Sequence, residues 1–237
     1  MEPGERESLA TMPLHEITAS RGEAGLRERF AIEIARLPAG DRERAGQALA
    51  LAARLHAGDR RQREPYVNHL LRVAVRIISH YHVRDPDVIC AALLHDAVED
   101  HAAGLAGGGG QPEALAVLAA RFGSRVATLV AAVTNQQNGP AGDSHQRYRE
   151  HVAASLDASP WARVIKMSDF TDNGVGLIYT TGPRTKTLAR KYAPLVPVLK
   201  ELIARPDTPL SHDVKARILD QLDRAQERFA AIAAAPG

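Results

Sequence analysis

The stretch Leu93-Leu94-His95-Asp96-Ala97-Val98-Glu99-Asp100 sets one imidazole and three carboxylates directly behind an apolar run. On a helix, His95 and Glu99 lie one turn apart on one face, and Asp96 and Asp100 pair the same way beside them. Read as one continuous helix from Val88, this is the C-terminal end, where the macrodipole disfavours negative charge. Burying such a cluster without a compensating cation is costly. A divalent metal answers both difficulties. The plain alternative is a solvated helix end, closed by His101 and Gly104.

A catalytic divalent ion needs more than an adjacent His-Asp pair. His56, at the end of an apolar helical stretch, offers a second imidazole, although taken alone it reads as a surface or core histidine. Lys166-Met167-Ser168-Asp169 closes an apolar run containing Val164 and Ile165, so Asp169 emerges from a buried helix. A lone aspartate there is more often a cap or an ion-pair partner. Two imidazoles and two carboxylates together make a mixed N/O site that suits manganese, iron or zinc better than calcium. Such a site keeps open positions for water and a phosphate oxygen.

Around these residues lie cations that a phosphate could use. Arg60, Arg61 and Arg63 follow His56 in a basic loop; a charge run is usually a solvated face, but Arg61 beside a ligand could clamp a phosphate by bidentate bonding. Lys166 could act likewise or snorkel at a helix edge. Arg147, Tyr148 and Arg149 read as a solvated polar helix. Thr180 to Lys186 lacks a phosphate-loop pattern and reads as a helix start, and Gly107 to Gly110 reads as a flexible insertion.

The elements that must position these groups are helices. Hydrophobic residues make up 45% of the 237, aromatics only 4%, which fits an Ala/Leu/Val-rich helical protein. Apolar spacing predicts helices from Arg27 to Pro38, Asp41 to His56, Tyr66 to His80, Val88 to Asp100 (begun at Asp85-Pro86-Asp87) and Pro112 to Phe122. Others follow at Val126–Val133, His145–Leu156, Trp161–Asn173, Pro183-Arg184 to Tyr192, and Val214–Ala233. No strand-period segment of useful length and no internal repeat is found. The expected architecture is all-α: a flexible leader over 1–25, one helical-bundle domain over 26–205, and a C-terminal helical extension over 206–237 packed on it.

Composition excludes several classes. The formal charge of +2, from 30 basic and 28 acidic residues, makes no case for nucleic acid or membrane as the main partner. Cys90 is the single cysteine, which rules out a disulfide framework and points to a core filler. The N-terminus carries no apolar stretch behind a basic start, and no apolar run approaches a bilayer span. The expectation is a cytoplasmic protein with a small-molecule partner; no oligomeric state follows.

Taken in order, His56, Pro65-Tyr66-x-x-His69, His95-Asp96-x-x-Glu99-Asp100 and Asp169-x-x-x-Asn173 resemble the HD hydrolase domain of RelA/SpoT-type enzymes. The single-domain small alarmone hydrolases match best in length. The resemblance covers residues 45–175 and includes Phe122-Gly123, Val130 to Thr134, Ser159-Pro160 and the run ending in Lys166. It implies an HD-domain bundle in which His56, His95, Asp96 and Asp169 hold a manganese ion, or another divalent transition metal. Glu99 and Asp100 would then position or activate the attacking water, and Asn173 would lie at the nucleotide. His69 would be structural or hold a ligand from behind. The implied reaction removes the 3′-pyrophosphate from guanosine tetra- or pentaphosphate.

Departures from the pattern fall on the substrate side. His69 is followed by Leu70 where the family has proline, and Asn173-Gly174-Val175-Gly176-Leu177 lacks the usual basic residue. Ala45 and Gly46 stand where an Arg/Lys pair commonly precedes the first histidine. These keep two alternatives open: a phosphatase for another phosphorylated nucleotide, NADPH included as for a metazoan relative, and a non-catalytic nucleotide-binding or antitoxin-like module. Retention of Glu99 and Asp100 argues against the second.

Overall fold

Asp85 starts the helix around which the first half of the chain is built. Its side chain accepts hydrogen bonds from the backbone N–H of Asp87 at 3.0 Å and Val88 at 3.4 Å, and Pro86 follows in the first turn. The helix that follows reads PDVICAALL, and every residue from Val88 to Leu94 is fully buried. A helix apolar all round must sit inside others. In the computed structural model, which describes residues 3–61, 64–135, 153–174 and 184–234, it does so.

The chain divides into two compact units, residues 1–134 and 135–237. The first holds α1 (Pro3–Thr11), α2 (Leu14–Ile34), α3 (Ala39–Leu55), α4 (Val67–Ser79), α5 (Pro86–Leu94), α6 (Ala97–Leu105), α7 (Gln111–Phe122) and α8 (Ser124–Val133). Helix α5 is the inner one, packed by α3, α4 and α8; α2 lies on α4, and α6 and α7 pack together and onward to α8. Between α3 and α4 a minimal antiparallel ladder joins β1 (Arg60–Arg61) to β2 (Glu64–Pro65). Gly123, at φ 97°, makes the sharp corner between α7 and α8 that a side chain would resist.

Two expectations change here. Residues 3–25, read as a flexible leader, are helical: Leu9, Leu14 and Ile17 are buried, and the buried Arg29 donates to the Leu9 carbonyl at 2.8 Å, tying α1 to α2. So few apolar residues among many polar ones give a weak periodic signal, although each is inserted into the core. Second, the helix expected to run unbroken through Asp100 is interrupted at His95-Asp96, which separate α5 from α6. Glu99 and Asp100 therefore occupy the first turn of α6, where the macrodipole favours acids rather than opposing them.

The second unit contains α9 (Pro160–Asn173), α10 (Arg184–Tyr192), α11 (Leu195–Ala204) and α12 (His212–Ala234), with α12 packed on α10 and α11, and α9 on α11. Ala162 to Thr171 of α9 are all buried. Arg163 uses its whole guanidinium there: Nε donates to the Leu156 carbonyl, and the two terminal nitrogens donate to the Asp157 carbonyl, both Asp207 oxygens and Thr208. Described secondary structure is thus all-α apart from the two-residue ladder. Of the expected His145–Leu156 helix only the end is described, and Arg147, Tyr148, Arg149 and Thr180 lie outside the described residues. No helix among the described residues is long and apolar enough to cross a membrane.

Candidate metal centre

His56 caps the C-terminus of α3, and the chain then turns tightly, with the Asp59 N–H donating to the His56 carbonyl at 3.0 Å. The ladder returns the chain to Tyr66, at the head of α4, with His69 in the first turn. His95 and Asp96 occupy the break between α5 and α6. Three helix ends thus bring three histidines and an aspartate together. His56, His69 and His95 are all buried, and Asp96 is half-buried.

The hydrogen bonds assign each ring its role. A carbonyl only accepts, so the 2.8 Å contact of His95 Nδ1 with the Ala92 oxygen puts a proton on Nδ1. The contact of His56 Nδ1 with Asp59 Oδ2, also 2.8 Å, does the same. In the neutral rings the lone pairs are then on Nε2. His56 Nε2 is buried and finds no hydrogen-bond partner among the described residues. His95 Nε2 lies 3.1 Å from Asp96 Oδ2, and His69 Nε2 lies 3.6 Å from the same oxygen. Burial holds the His56 imidazole below its ordinary pKa despite the pull of Asp59, which keeps it neutral. This donor set, buried imidazoles around one carboxylate oxygen, fits a borderline transition-metal ion.

Tyr66 organises the cluster. Its hydroxyl donates to Asp96 Oδ2 at 2.7 Å, and its ring stacks on His56 with centroids 4.6 Å apart and planes 9° from parallel. Burial and the Asp96 charge push the phenol well above its usual range, so it stays a donor. Arg61 lies over the Tyr66 ring, 5.4 Å from the centroid. Glu99 is half-buried and Asp100 exposed one turn into α6; partial desolvation, then the charges of Asp96 and Glu99, push the Asp100 carboxyl up to about 6.

The remaining candidates stand on α9 in the second unit. Asp169 is buried, and Lys166 Nζ donates to its Oδ2 at 2.9 Å while the Asn173 amide donates to its Oδ1. One helix end thus gathers Lys166, Asp169 and Asn173. Sequence reasoning gave Tyr66 only as part of a resemblance and did not single out Asp59. His101, read as a helix stop, donates from Nε2 to Asp59 Oδ2 at 2.6 Å. The spacing of Asp59 three residues after His56 was the available signal.

Comparison with known proteins follows the same residues. The model of the HD domain matches residues 48–158, which contain His56, His69, His95, Asp96, Glu99 and Asp100. A solved structure described as a metazoan ortholog of SpoT that hydrolyses ppGpp superposes with TM-score 0.58 at 26% identity, over 76% of this chain and 94% of that one. Residues 48–158, just under half of the chain, are thus similar to the HD domain.

Among curated relatives, the guanosine-3′,5′-bis(diphosphate) 3′-pyrophosphohydrolase MESH1 of Danio rerio is 36% identical over 106 residues, 44% of this chain and 51% of the relative. The Homo sapiens protein of the same name is 35% identical over 127 residues, 52% of this chain and 63% of its own length. The chain thus spans between half and two thirds of these relatives. The guanosine-3′,5′-bis(diphosphate) 3′-pyrophosphohydrolase of Aquifex aeolicus is 30% identical over 155 residues, 63% of this chain but 20% of that longer protein.

Proposed function

We propose that this chain is an HD-type, manganese-dependent phosphohydrolase that removes the 3′-pyrophosphate from guanosine tetra- or pentaphosphate. The observation that carries the reading is the pair of histidines, His56 and His95, each with Nδ1 committed to an acceptor, His95 Nε2 lying 3.1 Å from Asp96 Oδ2. His56, His95, Asp96 and Asp169 would hold the ion. When bound, it supplies positive charge that polarises phosphoryl oxygens and acidifies water.

The chain's own groups do the rest. Glu99 and Asp100, in the first turn of α6, position the attacking water and take up its proton. Arg61, held over Tyr66, and Lys166 supply cationic charge to the phosphates, and the Asn173 amide hydrogen-bonds the nucleotide. The names of the curated relatives support the substrate class. The residues after His69 and Asn173 depart from the pattern on the substrate side, so a second phosphorylated nucleotide such as NADPH belongs in the same test.

The experiment is phosphate and pyrophosphate release with manganese from guanosine tetraphosphate, guanosine pentaphosphate and NADPH, with Glu99→Gln as control. Pyrophosphate from the guanosine compounds, absent in the variant, is the expected result. Phosphate from NADPH alone would replace the substrate. Nucleotide binding without any release would replace the activity by a binding role.

A further inference from the structure

His56 is restrained by Tyr66, His101 and Asp59. Tyr66 covers one face, and the His101 ring meets its edge with centroids 4.4 Å apart and planes 86° from parallel. Asp59 takes its Nδ1 proton. Asp59 is itself fixed at three points: its N–H donates to the His56 carbonyl at 3.0 Å, its carbonyl accepts from the Tyr66 N–H at 3.2 Å, and its Oδ2 accepts from His101. His101 reaches back because α6 is distorted at that residue, at φ −132° and ψ 28°. A loop aspartate and a kinked-helix histidine, 42 residues apart in sequence, thus close on one oxygen beside one imidazole.

We infer that Asp59 is a positioning residue that fixes the tautomer and orientation of His56, and that His101 is the clamp that holds Asp59 in place. The argument is one of competition between tautomers. A free neutral imidazole favours the Nε2–H form slightly, and that form presents a proton, not a lone pair, to a metal. The Asp59 carboxylate accepts from Nδ1 and reverses the preference before any ion arrives. A carboxylate behind a ligating histidine also raises its basicity, and loss of such a partner typically lowers metal affinity by about 10–100-fold. His101 leaves the Asp59 oxygen one rotamer in which it serves His56, which lowers the entropic cost of ordering it.

The inference rests on the metal-site reading but is tested apart from it. Two-bond proton–nitrogen correlation spectra of the metal-free, ¹⁵N-labelled protein report which ring nitrogen of His56 carries the proton. Wild type is expected to show Nδ1–H. Asp59→Ala should shift His56 toward Nε2–H with the melting temperature nearly unchanged, whereas Asp59→Asn, whose amide oxygen still accepts, should keep Nδ1–H. His101→Ala should give a mixture. Calorimetric titration with Mn²⁺ alone should then show affinity falling about 10–100-fold in Asp59→Ala and less in Asp59→Asn. An Nε2–H ring in wild type, or an unchanged ring in Asp59→Ala, overturns the inference. A wild type that has the Nδ1–H ring yet binds no Mn²⁺ overturns the metal-site reading instead.

Discussion

Tyr66 and Asp96, 30 residues apart, meet through a 2.7 Å hydrogen bond from the phenol to Oδ2, the oxygen that His69 and His95 also face. The same tyrosine stacks on His56, so one side chain spaces two candidate ligands. Tyr66→Phe should keep the stack and remove only the donor. The fold should lose about 1 kcal/mol or less, while Mn²⁺ affinity drops about tenfold. Equal affinity in the two proteins, by calorimetric titration, would mean that the hydroxyl takes no part in orienting Asp96.

His95 carries a different expectation, because it is a proposed ligand and not a support. A ligand present at about one hundred times its Kd adds about 2.7 kcal/mol to the folded state. Mn²⁺ should therefore raise the melting temperature of wild type by several degrees, and a chelator should reverse the rise. His95→Ala should abolish the rise while the metal-free protein still melts cooperatively. A rise of equal size in this variant would remove His95 from the ligand set.

Asp100 couples chemistry to stability. Its carboxyl, raised to about 6, binds its proton more tightly in the folded than in the unfolded chain. Such a group favours the fold most at low pH, so the metal-free fold loses stability as pH rises from about 4 through about 6. Asp100→Asn removes that loss. Discounted for the exposure of the side chain, the gain at pH 7 is on the order of 1 kcal/mol or less. Turnover in the same variant should fall about a hundredfold or more. Urea denaturation at several pH values checks the first half, and pyrophosphate release the second. A variant that is no more stable and fully active would falsify both roles.

The helices and the His95-Asp96-x-x-Glu99-Asp100 constellation were legible because each has a periodic or local signature. The interruption at His95-Asp96 was not, since Ala97 and Val98 continue the apolar run and no glycine or proline marks a boundary. The break accompanies a change of packing: α5 runs on α3, α4 and α8, whereas α6 packs chiefly on α7 and to a lesser extent on α3. Asp59 was illegible for a related reason. In sequence it is one acid in an arginine-rich loop, and only the kink at His101 brings its second imidazole within reach. The anchoring of α1 through Leu9 escaped notice because Arg29, a cation on paper, is used internally to tie Leu9 down.

Arg163 and Asp207 give the last test, in the second unit. The arginine is 1% exposed and donates to two carbonyls, a threonine and both oxygens of a half-exposed aspartate. Arg163→Ala strands all of these acceptors and opens a cavity, which should cost about 3 kcal/mol. Arg163→Lys keeps the charge but not the five-donor fork, so its loss should fall between that of wild type and alanine. The hydrogen bond from Arg163 holds the Asp207 carboxyl down to about 2. A carboxyl depressed on folding contributes its stability above its unfolded pKa of about 4 and loses it as pH falls from there toward 2. Asp207→Asn should therefore be less stable than wild type at pH 7 and converge with it in acid. Parallel urea midpoints for the two proteins from pH 7 down to pH 2.5 would show that the pair contributes nothing to the acid limb.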